Sequence, residues 1–481
     1  MIHVGDEYAG GAQAARRERR GVAGMTENVE LTVPGQQARP SRRSAAAAPR
    51  PAGSAAPRRI AVVGSGIAGL TAAHQLTRTG ARVTLYEADP RLGGHAHTQD
   101  VRAADGSTLA LDTAFLVHNE RTYPHLLRLF ADLGVRTQDS EMSMSVSCLS
   151  CGLEYAGARG LPGLAARPGA LLRPRYLRLL AEVPLFHRRA RAVLASPDPR
   201  ADELTLREFL VRGGFSPYFV SHFMAPLVSA VWSCAPDLAR EYPARYLFAF
   251  LDNHGMLSVT GSPTWRTVTG GSRTYVERIA ARLSAVHTGA PVRSVHRHPD
   301  GVTVTAADRA PAEYDGVVLA THPDQALRLL ADPTEDERQV LGAFSYSYNP
   351  TVLHRDPSAL PRAPRARASW NYLMTSCVDR SDQVRVSYHL NRLLRLDTPE
   401  DYLVTLNEDP RHPIPEEHVV SRTVYQHPLY TRHSRAAQLR LPELSTGRTA
   451  FAGAYHGWGF HEDGCRSGIE AARALGALVR S

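Results

Sequence analysis

Residues 60–63, IAVV, are the first run of large apolar side chains in the sequence. A run this short with no polar break, closed by glycine, predicts a strand covered on both faces. The preceding stretch has little apolar periodicity. It contains "AARRERRGVAG" and "QQARPSRRSAAAAPRPAGSAAP", rich in Ala, Pro and Arg, so residues 1–57 are expected to be a disordered basic tail. From Ile67 to Thr79 the apolar positions recur at helical spacing, and Gly80 closes the pattern. Arg82 to Tyr86 reads as a second strand. Within 158–200, Leu177, Leu180, Val183 and Phe186 fall on one face at helical spacing, and residues 202–250 read as further helices. Strand signals return in "PVRSVHRHPDGVTVTA", two strands around a turn at Asp300–Gly301, and in "YDGVVLATHPDQALRLL", a strand, turn and helix. "TVLHR" and "VRVSYHLNRLL" read as strands of a second sheet. "TAFAGAY" near the end is a strand leading into a glycine turn, followed by the Ala-rich helix "CRSGIEAARALGALV". Strands alternating with helices predict an α/β fold.

Composition narrows the function. The 481 residues, 43% of them hydrophobic, can fill two domain cores, and no stretch of 18 apolar residues predicts a membrane-spanning helix. All 56 basic residues are Arg, since the sequence has no Lys. Schiff-base chemistry on Lys, a P-loop Lys and a Lys general base are thereby excluded. Five Cys in a chain this long do not make a disulfide framework and fit a reduced, cytoplasmic setting. The paired Arg near residues 16–20 lack the apolar stretch of an export signal. The formal charge of +9 comes with no zinc-finger or RNA-recognition spacing, so no nucleic-acid partner is expected. Residues 158–200 carry nine Arg against Glu182 and Asp198. They read either as a solvated basic face or as a surface meeting anionic lipid head groups, with peripheral membrane association.

The chemistry-bearing motif follows the first strand. Gly64, Gly66 and Gly69 form G-x-G-x-x-G, and Glu87 ends the next strand. Gly64 permits a tight turn, Gly66 lets the backbone approach a pyrophosphate, and Gly69 lets helix and strand pack closely. The amides of Ile67 and Ala68 at the helix start face the phosphates, and Glu87 can accept from an adenosine ribose. Strand, glycine turn, helix, strand and acid in this order predict dinucleotide binding.

After Glu87 come Ala88, Arg91, the pair Gly93–Gly94 and His95. This sequence resembles the flavoprotein amine oxidase superfamily, in which E-x(3)-R-x-G-G follows the ribose acid and the second glycine turn runs beside the FAD pyrophosphate and ribityl chain. The resemblance implies FAD. It also implies a Rossmann-like FAD domain built from residues 58–130, 260–330 and 445–481, interleaved with a mixed-sheet-plus-helices substrate domain from 131–259 and 331–444. Val292 falls where the family's adenine-side strand lies. "GAYHGWGFHEDG" falls where the final helix aims at the flavin, so Gly453, Asp463 and Gly464 are implied cofactor contacts. "WRTVTGG" resembles a segment that returns towards the flavin, with an ordinary turn as the other reading.

The departures matter. Gly453–Ala454 stands where the family has Gly followed by an acid, and Glu462 or Asp463 is the replacement. The Cys attachment sequence of some monoamine oxidases is absent, which implies non-covalent FAD. The Lys that many members use near the flavin cannot exist here, which counts against amine oxidation. Further segments, "LDNHGMLSVTGSPTWRTVTGG", "SYSYNPTVLHRD" and "SYHLNRL" among them, resemble a bacterial group often encoded beside cyclopropane-fatty-acyl-phospholipid synthase-like methyltransferases. That implies work on unsaturated or methyl-branched acyl chains, with a lipid methyltransferase as partner. Three other readings stay open: an amine or amino-acid oxidase, a carotenoid-type desaturase, and a non-catalytic FAD-stabilised partner of the methyltransferase. His456, Trp458, His461 and Glu462 are the expected reaction-face residues. The histidines lack metal-ligand spacing, and Cys148-Leu-Ser-Cys151 has no second Cys pair and reads as part of a strand, so no metal site is expected.

Overall fold

The computed structural model describes residues 57–378 and 383–477; the expected basic tail, all but Pro57, lies outside them. Strand Arg59–Val63 pairs in parallel with Arg82–Tyr86 on one side and Gly316–Leu319 on the other. Ala285–His287 and Thr449–Phe451 complete a five-stranded parallel sheet. The unbroken apolar run has a simple cause. Ile60 and Val62 face one core with helices Ile67–Arg78 and His461–Ala474. Ala61 and Val63 face a second core, built from the antiparallel strands Val292–His298, Gly301–Ala306 and Ala312–Tyr314. Both faces are covered from Ile60 to Val63, so none of these four positions tolerates a polar side chain.

The second sheet has seven strands, in the order Val419–Leu429, Ser345–His354, Leu403–Leu406, Val386–His389, Trp370–Met374, Met144–Cys148 and Glu154–Gly157. Neighbours are antiparallel except Trp370–Met374 and Met144–Cys148. Helices between Gly160 and Asn253 pack against it. The longest, Pro174–Ala195, buries Tyr176, Leu179, Phe186 and Ala190. The buried stripe is therefore displaced from the expected one, and Leu177 is 47% exposed. Phe186 sets the orientation, because its ring lies 5.5–6.1 Å from the rings of Phe209, Phe215, Phe219 and Phe248. Aromatic packing of this size outweighs the spacing of leucines.

Helices from the two ends of the sequence lie against each other. A Cβ on Gly468 would fall 2.3 Å from the Ala68 carbonyl oxygen, and one on Gly464 would fall 2.6 Å from Ile67 Cγ2. Only hydrogen fits at these points, and that closeness brings both helix N-termini to one cavity. Gly468→Val is expected to cost about 2–3 kcal/mol through forced separation of the helices. Gly447→Ala, in an exposed turn where a Cβ meets nothing within 4 Å, is expected to stay within about 0.5 kcal/mol of the parent. Urea unfolding midpoints of the two variants check this; equal midpoints would remove the packing argument.

Candidate active site

A cavity of about 760 Å³ runs from the first glycine turn to the second sheet. At one end, Gly64 has φ +99°, and a Cβ there would lie 2.6 Å from the Ala320 carbonyl oxygen. Gly66 caps the first helix without a side-chain hydrogen bond, and a Cβ on it would meet nothing within 4 Å. The free helix amides behind it therefore open onto the cavity. Gly94, at φ +57°, closes the other wall, with its Cβ position 3.2 Å from Gly66 Cα. One chain of bonds ties these turns to the acid. The Gly93 amide donates to Ser65 Oγ (3.0 Å), and the Ser65 amide and hydroxyl donate to Glu87 Oε2 (2.8 and 2.5 Å).

The other end is walled by Phe115, Tyr123, Trp232, Phe250, His254, Trp265, Trp370 and Tyr388 together with Phe460 and His461. His461 stacks on Phe115 at 3.6 Å, and its Nε2 lies 3.1 Å from the Tyr275 hydroxyl. The loop leading to it is held tightly. The Gly457 carbonyl accepts from the Tyr246 and Tyr430 hydroxyls and from Gln438 Nε2 (2.7, 2.9 and 2.7 Å), and Trp232 Nε1 donates to the Trp458 carbonyl (2.9 Å).

With this geometry in view, comparison with known proteins is decisive. The family described as flavin containing amine oxidoreductase matches residues 67–353. The chain belongs to this family. A Mycobacterium tuberculosis protein named as a flavin-containing monoamine oxidase, AofH, is 30% identical over 288 residues, covering 57% of this chain and 59% of its own. The carotenoid phi-ring synthase of Streptomyces griseus is 31% identical over 315 residues, covering 61% and 58%. This chain thus spans somewhat under two thirds of the length of these relatives. The crystal structure of a CLA-producing fatty acid isomerase from P. acnes shares the fold, with a TM-score of 0.63, 17% identity, and coverage of 86% of this chain and 98% of the other. Membership groups the chain with flavin-containing oxidoreductases.

The residues present suit a flavin dinucleotide. The space over Gly66 is one that a side chain would fill. Tyr455 Oη, His322 Nδ1 and Trp370 Nε1, on residues lining the flavoprotein's cavity, are buried polar atoms without a protein partner. Of the residues singled out from sequence, Gly64, Gly66, Ile67, Ala68, Glu87, Ala88, Gly94, His95, Val292, Gly453 and His461 line the cavity. Others act one step behind it. Gly69 packs on Gly64, and Arg91 donates to the Gly94 carbonyl at 2.8 Å, shaping the turn.

Several expectations are corrected. The Gly464 amide donates to the Phe460 carbonyl within the last helix, and the residue packs on Ile67 rather than facing the cavity. Asp463 is buried, accepts from the Phe460 amide and lies 3.6 Å from Arg466; burial pushes its carboxyl up to about 6. Glu462 faces away from the reaction end. Its carboxylate accepts from the amides of His125 and Leu126 (3.1 and 3.0 Å) at the start of helix Pro124–Leu133, and it lies 2.6 Å from His125 Nδ1. The His456 and Trp458 rings do not line the cavity, and Trp458 packs among Tyr246, Phe250 and His254. Of "WRTVTGG" only Trp265 reaches the cavity. Gly271 packs on Thr98, and buried Asp112 holds the segment through the Ser272 amide and hydroxyl.

Sequence reasoning missed Phe115, Trp370, His322 and His427. The last two, with His95, His254 and His461, put five imidazoles on the cavity wall. Burial holds His427 down to about 4 and His461 to about 3, and drives His95 and His322 below the ordinary value. Neighbouring imidazoles add to this for His95, His427 and His461. Burial likewise holds His254 down to about 4, and all five are neutral at pH 7.

Two substitutions separate the roles. Gly66→Leu is expected to lose bound flavin, read as visible absorbance per chain, while far-UV circular dichroism stays native; full flavin content would refute the cradle. Glu462→Ala is expected to lower stability by about 1–2 kcal/mol through the uncapped helix and to leave the flavin spectrum unchanged.

Proposed function

We propose that the protein removes a hydride from a C–H bond of a hydrophobic, uncharged substrate segment, with an unsaturated or methyl-branched acyl chain as the substrate class. The product is a desaturated or oxidised chain, or an isomerised one if the hydride is returned. The observation that carries this reading is the distribution of charge. Among the described lining residues the ionised side chains are Glu87, Asp89 and Arg328, all on elements of the parallel-sheet end; the far end is aromatic, aliphatic and neutral imidazole. An ammonium group placed there would lose its hydration with no carboxylate to replace it, at a cost of several kcal/mol. The sequence also has no Lys to hold a water at the ring.

Bound FAD supplies the hydride acceptor. The chain's own residues orient and dry the site. The Phe115–His461 stack and the fixed loop 455–460 form a wall that does not reorganise, and the aromatic end excludes water around an apolar chain. Cys465 is buried between helices, receiving the Thr71 hydroxyl at 3.5 Å, which supports non-covalent attachment of the cofactor. Exposed Leu171, Leu172 and Leu177 lie close in sequence to Arg173, Arg175 and Arg178, which supports peripheral contact with an anionic lipid surface. No helix of the described residues is long and apolar enough to cross a membrane.

A polyene substrate is the second reading, favoured by the similarity to the phi-ring synthase. Anaerobic bleaching of the flavin absorbance distinguishes the readings. Bleaching by lipids with unsaturated or methyl-branched chains, and not by amines, is the expected result. Bleaching by a carotenoid alone moves the substrate class to polyenes. Bleaching by amines alone refutes the charge argument. If nothing bleaches the flavin, proton NMR of the recovered lipid for double-bond migration decides between isomerisation and a protein without turnover.

A further inference from the structure

Away from the flavin cavity, four ligand-type side chains converge from three parts of the sequence. Strand Met144–Cys148 ends in a turn rather than running on through the C-x-x-C segment. Cys148 and Cys151 flank that turn, Cys377 follows strand Trp370–Met374, and His222 lies in the π-helical turn Val220–Met224. Their sulfur and ring nitrogen atoms all lie within 4.8 Å of one another. Cys148 Sγ is 3.8 Å from Cys377 Sγ, and Cys151 Sγ is 3.7 Å from His222 Nε2.

We propose that Cys148, Cys151, Cys377 and His222 bind one Zn²⁺ in a closed, structural Cys₃His site. Bond lengths of about 2.3 Å to sulfur and about 2.0–2.1 Å to imidazole nitrogen, arranged tetrahedrally, put sulfurs about 3.8 Å apart and sulfur about 3.6 Å from nitrogen. The Cys148–Cys377 and Cys151–His222 separations match these values, and every other pair lies within 4.8 Å. The surroundings are those a metal ligand set needs. His222 Nδ1 lies 3.2 Å from the Tyr218 carbonyl and 2.8 Å from Ser221 Oγ. Donation from Nδ1 fixes the tautomer that leaves the Nε2 lone pair on the cluster. Gly152, at φ +65°, turns the chain so that the Cys151 amide reaches the Cys148 sulfur and the Leu153 amide reaches the Cys151 sulfur. Each thiol gives up its proton to solvent on binding. Three thiolates and Zn²⁺ leave one negative charge, and the guanidinium of Arg173 stands beside it, donating to the Cys151 carbonyl at 3.0 Å. His222 and Cys377 also line a second cavity of about 670 Å³, which gives the ion a way in.

The ion would act as a clip. Ser216, which caps the segment carrying His222, is held by buried Glu182 (2.9 and 2.6 Å), and the Tyr155 hydroxyl donates to the His222 carbonyl at 2.7 Å. Helix Ala225–Trp232 follows directly and presents Ala230, Val231 and Trp232 to the flavin cavity. The metal therefore fixes a wall of the active site without touching it.

The full-length protein, purified under reducing conditions without chelator, should carry about one zinc per chain by elemental analysis and release it on mercurial titration. Replacement by Co²⁺ should give the visible ligand-field and thiolate charge-transfer bands of a tetrahedral thiolate site. Cys148→Ser with Cys151→Ser should abolish metal retention, Cys234→Ala should not, and His222→Ala should weaken zinc at least about tenfold in competition with a chromophoric chelator. Flavin absorbance reports whether each variant is folded, and the cobalt spectrum of the unaltered protein stands independently of the variants. Unaltered protein that contains no zinc and takes up no tetrahedral cobalt overturns the proposal, as does a Cys148–Cys377 disulfide in the freshly isolated protein or undiminished zinc in the double variant.

Discussion

The contact between helices Ile67–Arg78 and His461–Ala474 is the constraint on which the rest depends. At Gly464 and Gly468 the second helix approaches the first to within a distance that excludes any side chain. Two helix N-termini, each with unsatisfied amides, are thereby aimed into one space. The first faces the end of the cavity where Glu87 lies, and the second carries His461 to the opposite end. Neither glycine meets the cavity, yet both determine its shape, which is why Gly464 is a packing residue rather than a ligand contact.

The two sheets divide the remaining work by polarity. The parallel sheet supplies backbone amides, a carboxylate and an Arg-bearing helix, suited to a phosphorylated cofactor. The seven-stranded sheet and its helical layer supply aromatic rings and the buried imidazoles of His427 and His254, uncharged at neutral pH. The boundary between them is the loop after Gly453, pinned by three donors on the Gly457 carbonyl. A substrate entering from the apolar side meets a rigid, dry surface, and specificity is then a matter of fit and desolvation.

The parts of this arrangement that were legible in the sequence are local. G-x-G-x-x-G, the acid after the second strand and the second glycine pair each have fixed spacing because one turn of backbone must do one job. The hairpin at Asp300–Gly301 and the strand at Gly316–Leu319 were readable for the same reason. What was not legible depends on topology. Phe115, Trp370 and His427 lie more than 300 residues apart at the extremes and meet only through sheet order. Glu462 sits in a suggestive loop, but two amides of a helix that starts at Pro124 draw its carboxylate away. The C-x-x-C segment looked unpartnered because its companions, His222 and Cys377, are over 70 and over 220 residues downstream. The face of helix Pro174–Ala195 was misread because an aromatic cluster, not leucine spacing, orients it.

Strand Thr449–Phe451 and the final helix complete a sheet whose first strand is Arg59–Val63. On the ribosome, the nucleotide end of the molecule therefore stays unfinished until the segment from Thr449 to Ala474 has emerged. The seven-stranded sheet, whose strands end at Leu429, is free to form earlier. Cofactor capture therefore waits on this late segment, and a chain cut before Thr449 would be unable to hold its flavin.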